Sequence, residues 1–230
     1  MLQSSFKLAA TFFLATSFAA YSGVVVDSTR YLYKEGAREI SAHVENKDNI
    51  PYLIKSWVEV PDGQKDSHFL VTPPLFRLEG KQKNTLRILA NANISNAPQD
   101  RDTLYFFSVM YIPPSSDLDE DKNKVQLAVR HRMRLIYRPK TIQDLSINTE
   151  AEKLEWRRVN NKIVLKNPTP FFIYFKSVKI GNKDVIGETP HISAYTTKEF
   201  SLPIGVNGTE ITWKVATESG GTGSTYTSSL

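Results

Sequence analysis

The 230-residue chain contains no cysteine, which excludes disulfides, thiolate metal sites and thiol nucleophiles together. Histidine is scarce as well. His43, His68, His131 and His191 stand far apart with no pair at metal-ligand spacing, and each reads as an ordinary strand or loop residue. No G-x-S-x-G elbow occurs, and Gly80-Lys81 lacks both the earlier glycine and the following Ser/Thr of a phosphate loop. Asp117-Leu118-Asp119-Glu120-Asp121 begins like a calcium loop. It fails because Lys122 replaces the required glycine and Ala128 stands where a bidentate Glu belongs. No catalytic residue, metal or cofactor is therefore expected. Beyond residue 20 no run approaches the roughly 18 uninterrupted apolar residues of a membrane span. Neither sign of charge dominates: 29 Lys+Arg against 24 Asp+Glu leave +5, too mild for a polyanion binder, so nucleic acid is not an expected partner.

What the chain does have is enough length for two domains of about 100 residues each and, at 40% hydrophobic, enough apolar surface for their cores. Met1 to Ser22 carries one basic residue, Lys7, ahead of an apolar run from Leu8 to Ala20, and Ala20-Tyr21-Ser22 supplies small residues before a cut ahead of Gly23. That is the layout of a cleaved secretory signal peptide. From Gly23 onward the pattern has period two with recurrent turn signals. Ile40, Ala42 and Val44 share one face; Tyr52 to Val60 follows, closed by Pro61-Asp62-Gly63. Further strands are expected at Phe69 to Thr72, Leu75 to Leu78, Thr85 to Ala90 and Thr103 to Ile112, the last stopped by Pro113-Pro114.

Arg138-Pro139-Lys140-Thr141 interrupts the pattern, which divides the mature chain into domains at 23–140 and 141–230. In the second block strands are expected at Leu145 to Asn148, Lys162 to Lys166, Phe172 to Ile180, Glu199 to Leu202 and Glu210 to Ala216. Hairpin turns are expected at Asn160-Asn161, Gly181-Asn182 and Asn207-Gly208. The tail from Gly220 to Leu230, rich in Gly, Ser and Thr, reads as flexible. Trp57 and Trp213 read as core. Two antiparallel β-sandwiches in series is the economical fold, all-β throughout.

One segment does not read as an ordinary strand. Lys124 to Tyr137 is the longest candidate in the chain, and at about 3.3 Å per residue Val125 to Arg138 spans about 46 Å, against about 17–20 Å for a typical strand. One face carries Val125, Leu127, Val129, His131, Met133, Leu135 and Tyr137; the other carries Arg130, Arg132, Arg134 and Arg138. A strand longer than its sandwich projects at one end, carrying aliphatic side chains into solvent or a partner, and the arginine face suits a peptide carboxylate.

The chain resembles the PapD-like periplasmic chaperones of the chaperone–usher pilus pathway. The resemblance runs through Val25 to Tyr31 with its Arg30, Ile50-Pro51-Tyr52-Leu53 to Trp57-Val58-Glu59, and Thr72-Pro73-Pro74 to Arg77-Leu78. It continues through Pro98-Gln99-Asp100-Arg101-Asp102-Thr103-Leu104 with Ile112-Pro113-Pro114, then Arg134-Leu135-Ile136-Tyr137-Arg138-Pro139 and Asn167-Pro168-Thr169-Pro170. Each is weak alone; in this order they are specific.

The resemblance implies two immunoglobulin-like sandwiches in an L-shaped arrangement and a non-enzymatic, periplasmic role. Such a chaperone lends its long strand to pilus subunits that lack their own last strand, and delivers them to an outer-membrane usher. Val125, Leu127 and Val129 match the donor positions. Arg30 matches the arginine that anchors the subunit's terminal carboxylate, and Arg134 stands where the family has lysine. Asp102, Arg138 and Glu218 match an interdomain ion-pair network, with Asp102 where Glu is usual and Glu218 where Asp is usual. As a surface pair this network would contribute about 0–1 kcal/mol. The short Ser115–Lys124 connection implies the short-loop branch, which serves rod-forming pili. An exposed donor strand is also an edge liability, open to self-association when no subunit is bound. The competing reading is a structural pilus subunit or adhesin on the same sandwich.

Overall fold

The computed structural model describes residues 23–66, 68–114, 126–187 and 191–230. The expected signal peptide, Val125 and the Ser115–Lys124 connection lie outside the described residues.

The first domain is a sandwich of a four-stranded and a five-stranded sheet. The first sheet runs β1 (Val24–Val26), β3 (Ile40–Asn46), β7 (Lys83–Ala90), β5 (Phe69–Thr72). The second runs β2 (Arg30–Lys34), β9 (Val129–Arg138), β8 (Thr103–Ile112), β4 (Tyr52–Glu59), β6 (Leu75–Leu78). Period-two alternation puts Ala42, Val44, Leu86 and Ile88 from one sheet against Ile54, Phe107, Val109 and Leu135 from the other, all fully buried. The opening segment switches sheets at Asp27–Thr29. There the Tyr31 hydroxyl donates to Asp27 Oδ1 (2.7 Å) and the Ser28 hydroxyl donates to the Arg30 carbonyl (2.7 Å). The switch puts β2 parallel to β9, with Arg30 opposite Arg134 and Lys34 opposite Arg138. At the far end Asn46 is fully buried, its amide donating to the carbonyls of Ile50 and Glu79 at 2.8 and 3.0 Å. Gly80, no phosphate loop, sits so close to the Asn49 backbone that a Cβ has no room there.

The second domain pairs β10 (Glu155–Val159), β11 (Lys162–Lys166) and β15 (Thr197–Ser201) in one sheet. The other holds β13 (Lys183–Asp184), β12 (Ile173–Ile180), β16 (Glu210–Ala216) and β17 (Thr222–Ser229), with β14 (His191–Ile192) also on β12. Trp156, Phe175 and Trp213 pack at its centre, Trp156 and Trp213 with ring centroids 5.5 Å apart.

Several expectations are corrected. Leu145 to Asn148 is no strand: Ile147–Glu150 is a helical turn continued by a 3-10 turn, because Ile147, Ala151 and Leu154 are the buried positions and their spacing is helical. The tail is not flexible, since β17 pairs with β16 over most of its length and Tyr226 stacks on Trp213. Asn207-Gly208 lies in a connection between sheets rather than in a hairpin; Asn160-Asn161 and Gly181-Asn182 do close hairpins. Trp57 is not core but half-buried on the outer face of β4, donating from Nε1 to Glu59 Oε2 (2.8 Å).

Candidate functional site

The long strand is shorter than its pattern suggested. β9 begins at Val129, and Gln126 to Ala128 run on outside any sheet. The register explains why. Tyr111 is opposite Val129, so Pro113 would come opposite Leu127, and proline has no N–H to give a ladder. Along β9, exposure on the core-facing row rises steadily towards this end: Leu135 is 0% exposed, Met133 5%, Val129 43%, and Leu127 beyond it 74%. His131, half-buried between them, stacks on Tyr111 and contacts the Val24 carbonyl (3.1 Å).

The two edges of β9 are also used unequally. β8 pairs with it from Val129 to Tyr137, whereas β2 pairs only from Arg134 to Arg138. Among the described residues, 129–133 therefore have no strand partner on one ladder edge. It borders an open groove of which Val24–Val26, Ser28 and Thr29 form the opposite wall. A free edge beside half-exposed aliphatics is a template for strand addition.

At the paired end of the same strand lies the interdomain cleft. Parallel register sets the Arg30 and Arg134 side chains next to each other. Both guanidiniums lie over one ring of the second domain, Tyr174, at 5.4 and 4.1 Å from its centroid. Burial and then the Arg134 charge hold the Arg30 pKa below its ordinary value. Buried Arg30 Nε has no hydrogen-bond partner among the described residues, and no carboxylate there pairs with either arginine. The cavity they line encloses about 50 Å³, where about 10–15 Å³ suffices for one water. Two like charges, partly desolvated and without a carboxylate partner among the described residues, are an arrangement that attracts an anion.

Behind it, two members of the network expected at the surface, Arg138 and Asp102, are buried, while Glu218 stays exposed. Arg138 and Asp102 form a bidentate pair (Nε to Oδ1 2.9 Å, Nη2 to Oδ2 3.0 Å), with side chains 3% and 1% exposed. Arg138 Nη1 also donates to Glu218, and Lys34 Nζ lies 4.0 Å from the same carboxylate. Asp102 reaches the second domain through the Phe172 N–H (3.3 Å) and its own N–H to the Pro170 carbonyl (2.8 Å). Burial pushes the Asp102 pKa up against the pull of Arg138, while for Arg138 the Asp102 and Glu218 contacts outweigh burial and raise it. The bidentate geometry with a third N–H donor decides for the ionised pair. Sequence reasoning missed Tyr174, Phe172 and the Glu59 carboxylate. Glu59 is 1% exposed and takes both Arg130 (3.2 Å) and Arg132.

Both the sequence and the fold match known proteins. Residues 23–143 match the family model described as the pili and flagellar-assembly chaperone PapD N-terminal domain. Residues 149–227 match that of the pili assembly chaperone PapD C-terminal domain. The chain belongs to the PapD family of pilus-assembly chaperones. It is 37% identical to the chaperone protein FocC of Escherichia coli over 204 residues, 87% of each chain. It is 42% identical to the chaperone protein FimC of E. coli K12 over 165 residues, 71% of this chain and 68% of FimC. Among solved structures, the Salmonella enterica complex of the SafA pilin with the SafB chaperone matches with a TM-score of 0.81 at 30% identity. That match covers 93% of this chain and 99% of that one. The periplasmic chaperone SfaE matches at 33% identity with a TM-score of 0.73, covering 90% and 100%. Membership in the PapD family makes the chain a chaperone with no enzymatic role.

Proposed function

We propose that this PapD-family chaperone captures pilus subunits in the periplasm by adding its own strand to them, anchors their terminal carboxylate, and passes them to an outer-membrane usher. The observation that carries the reading is the half-paired β9, with Leu127 and Val129 exposed beside an unpaired ladder edge. A subunit strand pairs along residues 129–133 while Val129, Leu127 and Val125 enter its open core. Burying such side chains is worth about 1.5–3 kcal/mol each before association costs. Ladder bonds set register without reading sequence, which suits several similar clients. Arg30 and Arg134 then hold the subunit's C-terminal carboxylate, the guanidinium of Arg134 doing as a fork what an ammonium does as a point charge. With no client bound, a second copy of the chain pairs at the same edge and masks it.

The test is a periplasmic pull-down with mass spectrometry, comparing wild type with Arg30→Ala in cells making pili. Wild type is expected to capture small β-rich subunits, with recovery falling at least about tenfold in the variant, the loss of one charge-assisted bond or more. Equal recovery by both would remove Arg30 from the site, and no subunit with either would end the capture reading.

A further inference from the structure

The two arginines of the cleft present a problem that the first domain does not solve alone. Neighbouring strands lie about 4.8 Å apart, so the parallel register that pairs Arg30 with Arg134 brings two like charges together, and left to themselves they would splay into solvent. What faces them comes from the second domain. The Tyr174 ring lies under both guanidiniums, at 5.4 and 4.1 Å. The turn between β16 and β17 closes the other side. Gly220 has φ +89 there, and a Cβ on it would lie 3.3 Å from Arg30 Nε and 3.6 Å from its Cδ. The turn is held by Gly220 N–H to the Thr217 carbonyl (2.9 Å) and Thr217 N–H to the Gly221 carbonyl (3.0 Å). It also carries Glu218, bonded to Arg138.

We propose that the second domain completes the anchor: the Tyr174 ring face and the bare backbone of Gly220 are positioning residues that hold the Arg30 and Arg134 guanidiniums ready for the terminal carboxylate of a peptide chain. The inference rests on the reading that these arginines bind such a carboxylate. An aromatic face attracts both cations without neutralising them, so the pair stays ordered and its charge stays available, which an acidic residue in the same place would not allow. Gly220 leaves the backbone close against Arg30, at a φ that only glycine adopts without strain. The same turn ties the anchor to the Arg138 network, so the shape of the anion site follows the junction between domains.

The test uses the full chain and a synthetic peptide of alternating valine and threonine, made with a free C-terminal acid and as the amide. The readout is the ratio of the two affinities. Wild type should prefer the acid. Tyr174→Leu, which keeps bulk and removes the quadrupole, should lower that preference about threefold to tenfold with little change in amide affinity, and Tyr174→Phe should restore most of it. Gly220→Ala should lower it too. Gly63→Ala, equally strained at φ +90 but with nothing within 4 Å of its Cβ, should not, and this pair decides the matter if Tyr174→Leu fails to fold. A wild-type preference in Tyr174→Leu, or equal losses in the Leu and Phe variants, would overturn the ring-face role. No acid preference in wild type, or one that survives Arg30→Ala, would instead sink the anchor reading and the inference with it.

Discussion

Replacing Val125, Leu127 and Val129 together with serine is expected to abolish subunit capture and leave the free chaperone as stable as wild type. The two halves of that result have different physical origins. In the free chain Leu127 is 74% exposed and Val129 43% exposed, so polar replacements there remove little buried surface and stability should change by less than about 0.5 kcal/mol. In the proposed complex the same side chains fill a client's groove. Even a third of their combined transfer free energy, about 1.5–3 kcal/mol, weakens binding about tenfold to a hundredfold or more. Leu135→Ser is the contrast. It lies on the same row of the same strand but is fully buried, and should cost about 2–5 kcal/mol of stability. Thermal melts with a subunit capture assay separate the two. If the triple variant melts as low as Leu135→Ser, the leading end of the strand is ordinary core.

The second large effect is expected at the domain junction. Arg138→Leu leaves the Asp102 carboxylate buried and removes the bond to Glu218, which should destabilise the chain by about 3–5 kcal/mol. Because Asp102 also holds the Phe172 N–H, the loss should uncouple the domains. Urea unfolding followed by tryptophan fluorescence should then resolve two steps, Trp57 reporting the first domain and Trp156 and Trp213 the second. Pairing Arg138→Met with Asp102→Leu should recover part of the stability, since an apolar pair of similar size carries no ion desolvation cost but leaves the buried Phe172 N–H without its acceptor. A change below about 1 kcal/mol in Arg138→Leu would return the network to the minor surface role that its sequence context suggested.

How far the sequence carried the reading depended on which forces are local. Apolar runs bounded by clear stops, such as Thr103–Ile112, Lys162–Lys166 and Glu210–Ala216, were legible to the residue, because turn residues or proline mark where the ladder ends. β17 was not: its Gly, Ser and Thr carry no apolar pattern, and its strand state is supplied by β16 and by Tyr226 on Trp213. The same logic separates the halves of the site. Arg30 and Arg134 could be singled out by resemblance, but their adjacency follows from a parallel pairing of segments about a hundred residues apart. Tyr174 and Gly220 carry no motif, because what they do depends on how two domains meet. The burial of Arg138 and Asp102 was illegible for the same reason, and with it the size of their contribution.

If a subunit strand adds to β9, it does so at the edge that β2 leaves open. Hydrogen exchange of the chaperone, free and with a bound subunit, reads that edge directly. Those amides within residues 129–133 that point away from β8 should exchange quickly in the free chain, at concentrations too low for self-pairing, and gain strong protection in the complex, while β11 and β15 of the second domain stay as they were. Unchanged exchange at 129–133, with protection appearing instead at another edge such as β6, would contradict strand addition at β9.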